Sequence, residues 1–208
     1  MKFEKFICRK KVRLFLVSLI AGVCITSVMQ AYAQKVMADI SSGVVRLHVV
    51  ANSDSAEDQQ LKLKVRDDVI NYLEPMLEDI YDVEKTKKII ESNINKIEEV
   101  ARKSVKKYGY TYSVTADFDK FHFPTKVYEN ARFPKGKYDA LKIVIGEGDG
   151  QNWWCVLYPQ LCFDHSQAGV LSEKSETKLK NVLNYDEYNM ITSNDINFKF
   201  KIVEWFSS

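Results

Sequence analysis

The side chains able to do chemistry are few. The histidines are His48, His122 and His165, and no H-x-x-x-H or paired C-x-x-C spacing joins them to other ligands, so nothing in the pattern points to structural zinc or any other cofactor. Cys155 could serve as a nucleophile if one of those histidines acted as its base, but Cys162 lies close enough to consume the thiol. No G-x-S-x-G elbow offers a serine alternative. Asp117 and Asp119 share one face of a strand, where acids are commonly solvated. The run Gly146-Glu147-Gly148-Asp149-Gly150 lacks the Lys-Ser/Thr of a phosphate loop and the spacing of a dinucleotide fingerprint, and it reads as a hairpin loop. No catalytic set emerges.

Two clusters suggest contact rather than catalysis. In Asn152-Trp153-Trp154-Cys155 the adjacent tryptophans of a strand must point to opposite faces, so one core cannot take both. A tryptophan left partly exposed is the kind of residue that anchors a protein interface, unless the loop over 164–195 covers it. The second cluster is the strand-to-helix junction from His48 to Ser55. It sets an imidazole, the Asn52 amide and the Asp54 carboxylate near a helix N-terminus. Capping and turn formation alone would account for Asn, Ser and Asp there, so both uses stay open for His48 and Asn52. The candidate partner-binding residues are therefore Trp153, Trp154, His48, Asn52 and Asp54.

The elements that position these residues start after an export signal. Lys2, Lys5, Arg9, Lys10, Lys11 and Arg13 precede an uncharged stretch from Leu14 to Gln34, and Ala31-Tyr32-Ala33 has the small-x-small form of a cleavage site. Residues 1–33 read as a signal peptide, or as a retained signal-anchor, since 21 uncharged residues can span a bilayer. Val23 before Cys24 argues against a lipoprotein. Either way the remainder is expected outside the membrane, with 34–43 as a linker and 44–208 as one domain. The net charge of +2 changes sign beyond Ala33: the exported part carries about −3, because six basic residues and one acid precede that point. Of four cysteines only Cys155 and Cys162 remain there. In an oxidisable compartment they read as one disulfide closing a short loop, worth about 2.5 kcal/mol, with two reduced, packed thiols as the alternative.

Val44–Ala51 alternates as a strand, with Val45, Leu47 and Val49 on one face and Arg46, His48 and Val50 on the other. Leu61, Val65, Val69 and Leu73 mark the buried stripe of a helix from about 56 to 73, with Lys62 directed away and Pro75 as its end or a kink. A second helix is expected from Asp82 or Glu84 to Tyr108, closed by Gly109. Residues 110–118 alternate as a strand, a short one follows near 121–128, and 138–145 and 152–158 read as further strands, the last running antiparallel. A helix near 172–183 and a final strand at 196–202 complete the set of elements. The fold class is α+β: a mostly antiparallel sheet with two principal helices on one face, preceded by an N-terminal export helix.

The runs Val45–Ser55, Asp58-Gln59, Leu61–Asp67, Phe123–Lys126, Tyr138–Leu141 and Gly150–Phe163 resemble, in this order, the stage II sporulation protein R family. The resemblance spans roughly 44–163, and its most specific part is N-W-W-C with P-x-L-C after it. It implies a non-enzymatic signalling protein of endospore formers, made in the forespore and exported into the space between forespore and mother cell. There it would activate a membrane-embedded aspartic-type protease that processes the precursor of sigma-E. The implied partner is the extracytoplasmic region of that protease, with no nucleic acid. A secreted cysteine hydrolase acting at the cell wall and a surface structural module are the alternatives.

Overall fold

A computed structural model describes residues 2–128, 131–162 and 173–192. The expected final strand at 196–202 and His165 lie outside the described residues. The chain divides into two compact units, Met1–Asp39 and Ile40–Ser208. Helix α1, Lys2–Ser42, is unbroken and contains a stretch from Lys10 to Ser42 long and apolar enough to cross a membrane.

The second unit is built on a four-stranded mixed sheet of order β2-β5-β1-β6, from β1 (Val45–Val50), β2 (Val114–Phe123), β5 (Gly136–Ile145) and β6 (Asn152–Tyr158). β1 runs parallel to β5 and antiparallel to β6, and β2 runs antiparallel to β5. Three helices supply one face's cover: α2 (Ala56–Leu77), α3 (Val83–Ser92) and α4 (Ile94–Lys107). Val45, Leu47 and Val49 of β1, Leu141, Ile143 and Ile145 of β5, and Leu61, Val65, Val69 and Leu73 of α2 form one core with Ile90, Ile97, Ala101 and Val105. The stripe repeating every four residues and the alternation of two thus meet across a single interface. Lys87 of α3 pairs with Asp139 of β5 at 2.8 Å, tying helix layer to sheet.

Four details differ from expectation, each for a local reason. Asn93 interrupts the second helix: its amide donates to the Ile89 carbonyl at 2.8 Å and splits the segment into α3 and α4. Pro75 sits inside α2, which continues to Leu77. Phe121–Phe123 extends β2 instead of starting a new strand; the short strand is β3 (Lys126–Val127), paired with β4 (Arg132–Phe133) in a separate ribbon. The glycine run is not a hairpin loop, because β1 lies between β5 and β6. The connection crosses the end of β1, held by Asp149 N–H to the Asn52 carbonyl and Gly150 N–H to the Ala51 carbonyl. A Cβ at Gly150 would run into the Ser53 carbonyl and one at Gly146, whose φ is +62°, into the Asn52 side chain. Backbone proximity explains Gly150, and a positive φ with the Asn52 side chain against it explains Gly146.

Among the described residues, α5 (Glu173–Val182) matches the helix expected near 172–183, and α6 (Tyr185–Thr192) follows it. Asn184 caps α6 reciprocally with Glu187, each accepting from the other's backbone N–H.

Candidate functional site

The β1–α2 junction is a closed polar network. Ser55 is the N-cap of α2 and accepts from Asp58 N–H at 3.2 Å. The Asp58 carboxylate does not accept from the Ser55 backbone N–H, as in a capping box, since that N–H goes to Ser53 Oγ; it reaches further back, accepting from Ser53 Oγ at 2.6 Å and Asn52 Nδ2 at 2.8 Å. Burial alone would raise the Asp58 pKa, but the hydrogen bonds of Ser53, Asn52, Tyr112 and Ser55 outweigh it and hold the carboxyl below its ordinary value. Asn52 also accepts from Glu147 N–H, and Asp54 accepts from Gln151 N–H at 2.7 Å. Lys62, expected on the solvent side of α2, is 5% exposed, donating to Gln59 Oε1 and the Gln151 carbonyl. The stem of a lysine covers apolar surface readily, and its ammonium finds acceptors in the crossing loop. The polar atoms of Asn52 and Asp54 thus stitch the junction to the β5–β6 connection.

The tryptophans separate as the alternation requires. Trp153 lies opposite Val49 and packs against the helix-side core with the Arg66 guanidinium 4.6 Å from its ring centre. Trp154 lies opposite His48 on the other face, and its ring centre is 5.8 Å from the imidazole. Both are half-buried. Cys155 returns to the helix side, where it is disulfide-bonded to Cys162. The bridge leaves the thiol-hydrolase alternative without a free nucleophile at Cys155. Opposite Arg46, β6 carries a bulge between Val156 and Tyr158, which lets Leu157 and Tyr158 both enter the core. The turn after β6 is further fixed by Gln160, which is buried and donates to the carbonyls of Leu77 and Glu78 at the end of α2.

The second face of the sheet collects residues from all four strands. One row crosses it: Trp154, His48, Lys142 and Asp117. His48 Nε2 donates to Asn152 Oδ1 at 2.6 Å, and its ring meets Phe123 edge-on at 5.8 Å. Burial lowers the His48 pKa, the Asn152 contact opposes that, and Lys142 and Arg46 lower it further. Its neighbour Arg46 is fully buried on a neutral bed: the guanidinium carbon is 4.4 Å from the Phe123 ring centre and 5.1 Å from that of Tyr138. Arg46 Nε donates to the Cys155 carbonyl at 3.3 Å, and desolvation pulls its pKa below the ordinary value. Lys142 lies over the Phe121 ring at 5.3 Å.

Of the five candidate residues, the structure therefore brings His48 and Trp154 together, puts Trp153 on the opposite face, and commits Asn52 and Asp54 to the chain's own loops. Arg46, Phe123 and Lys142 were missed as site residues. The available signal was Arg46 itself: a guanidinium in a six-residue β-branched strand whose two faces are both buried is costly to place there.

A family model described as stage II sporulation protein R matches residues 41–168. The stage II sporulation protein R of Bacillus subtilis (strain 168) is 38% identical over 183 residues, covering 81% of this chain and 82% of that protein. No solved structure matches the chain.

Proposed function

Given that the chain belongs to the stage II sporulation protein R family, and so has a role in sporulation, we propose that it is an exported signalling protein made in the forespore. In this reading it crosses the forespore membrane into the intermembrane space, as a secreted or anchored protein. There it docks on the extracytoplasmic region of a membrane-embedded aspartic-type protease and shifts it to the state that processes the sigma-E precursor. A ligand shifts such an equilibrium only by preferring the active state, so it needs a defined contact surface rather than a catalytic centre. The observation that carries the reading is the pairing of an N-terminal apolar helix with a domain whose second sheet face presents the half-buried Trp154, His48 and Lys142. The disulfide between Cys155 and Cys162 is in keeping with an oxidising compartment.

The test is the state of the sigma-E precursor in sporulating cells. Deletion leaves the precursor unprocessed, and Trp154→Ala lowers processing at least several-fold while the purified variant keeps its circular dichroism spectrum. Normal processing in the deletion strain would sink the reading and favour a surface structural module.

A further inference from the structure

An apolar segment ahead of an exported domain is either removed or kept, and the two fates require different things of it. A removed signal needs an apolar stretch of about 7–15 residues followed by an accessible cleavage sequence. A retained span needs about 20 residues, apolar on every side, with its polar groups satisfied internally. The uncharged stretch of α1, Leu14–Gln34, has 21 residues, which at about 1.5 Å each makes roughly 31 Å, the thickness of a hydrocarbon core. Leu14, Phe15, Leu16 and Val17 are successive and all exposed, so together they go round the helix rather than marking one face. A helix lying flat in the membrane surface would carry a charged side instead. The hydroxyls between Leu14 and Met29 all bond back to the helix's own carbonyls: Ser18 to Phe15 at 2.9 Å, Thr26 to Gly22 at 3.0 Å and Ser27 to Val23 at 2.8 Å. Arg13 and Lys35 bracket the stretch, with Tyr32 and Gln34 near its second end, where a span meets the headgroups.

The cleavage sequence, by contrast, is not accessible. Ala31-Tyr32-Ala33 lies inside α1, and the helix continues after it to Ser42. Peptidases act on extended backbone and cutting concentrates in exposed loops, whereas a helix interior has each N–H and C=O engaged with the neighbouring turn. A helix breaker just ahead of the cut would free it. However, α1 contains no proline and a single glycine, Gly22, eleven positions before Ala33. The helix ends just before Gly43, and Ile40 in its last turn is 0% exposed, as are Val44 and Val45. Ile40 belongs to the second unit, so α1 ends within the folded domain and residues 34–42 are helix. We propose that α1 is kept in the finished protein as a membrane span, its partner being the lipid bilayer, and that Ala31-Tyr32-Ala33 is not processed. Retention, taken with the reading that the domain is exported, confines it to the outer surface of the membrane that made it. Its docking face then meets only partners within reach of that surface.

The test follows the full chain, carrying a C-terminal epitope, in sporulating cells. Membranes are washed with alkaline carbonate, and the N-terminus of the chain is read by mass spectrometry. The wild type is expected to stay in the lipid pellet with residues 2–33 still attached. Met29→Pro, which breaks the helix ahead of the cut, is expected to be cleaved after Ala33 and to raise the soluble share at least tenfold. Adding Ala33→Phe to Met29→Pro removes the small residue at the cut and is expected to return the chain to the pellet. A wild-type product beginning at Gln34 overturns the inference, and so does an intact chain that carbonate releases. An uncut Met29→Pro chain overturns it too, because the helix would not be what protects the sequence. If Met29→Pro does not accumulate, the wild-type N-terminus decides alone. Normal precursor processing in a deletion strain bears on the protease reading and leaves the N-terminus result standing.

Discussion

Arg46 and His48 are two positions apart on β1 and share a face, and both are shifted toward their neutral forms by burial. For His48 the consequence is a pH dependence of definite sign. With its folded pKa below the unfolded value of about 6.5, the unfolded chain binds more protons in the interval between the two. Stability is therefore fully present above that interval and falls as pH drops through it. Melting curves of the wild type between pH 7 and pH 5 are expected to show a decline that His48→Gln makes shallower; parallel declines in the two proteins would refute the assignment. Asp58 acts with the same sign but at lower pH. Its depressed carboxyl contributes stability above the ordinary carboxylate range that is lost as pH falls through its folded pKa, so the two groups report in separate windows. At this scale the residue types were legible and their partners were not. His48, Asn52 and Asp54 looked equivalent at the junction. The difference arises because the acceptors and donors they meet come from residues 147–152, almost a hundred positions away.

Periodicity identified most of the elements because burial enforces it. The faces of β1, the stripe of α2 and the alternation at Val114, Ala116 and Phe118 all appear where spacing placed them. What spacing did not reveal was pairing. The β5–β6 connection is short and glycine-rich, features a hairpin would share, yet β1 occupies the gap and the loop passes over its end. Gly150 is the residue that permits this. Gly150→Ala is expected to destabilise the domain by about 1–3 kcal/mol, since the added methyl meets the Ser53 backbone and cannot be accommodated by a rotamer change. A melting temperature unchanged within error would mean that the loop adjusts freely and that its approach to Ser53 is incidental. The split at Asn93 has a similar origin. The apolar stripe continues across it, so only the local amide-to-carbonyl bond distinguishes two helices from one.

For the whole molecule, the charge asymmetry at the N-terminus makes a topological prediction. Six basic residues before Leu14 are expected to keep that end on the cytoplasmic side of the apolar segment, which would put the domain in the opposite compartment. Protease added outside intact protoplasts expressing the chain should remove the domain, while a cytoplasmic marker survives; complete protection would exclude the orientation. The apolar N-terminal helix, the change of net charge beyond it and the α+β class come from composition and periodicity, which are one-dimensional properties of the chain. The link between Cys155 and Cys162 was also foreseeable, because a short loop brings its ends together whatever the fold. Only tertiary structure decided that β1 would enter between β5 and β6, which of Trp153 and Trp154 would meet the helices, and that Arg46 would be buried against Phe123 and Tyr138. Those outcomes depend on which distant strands become neighbours, and hydrophobic alternation specifies a strand's two faces without specifying the strand beside it.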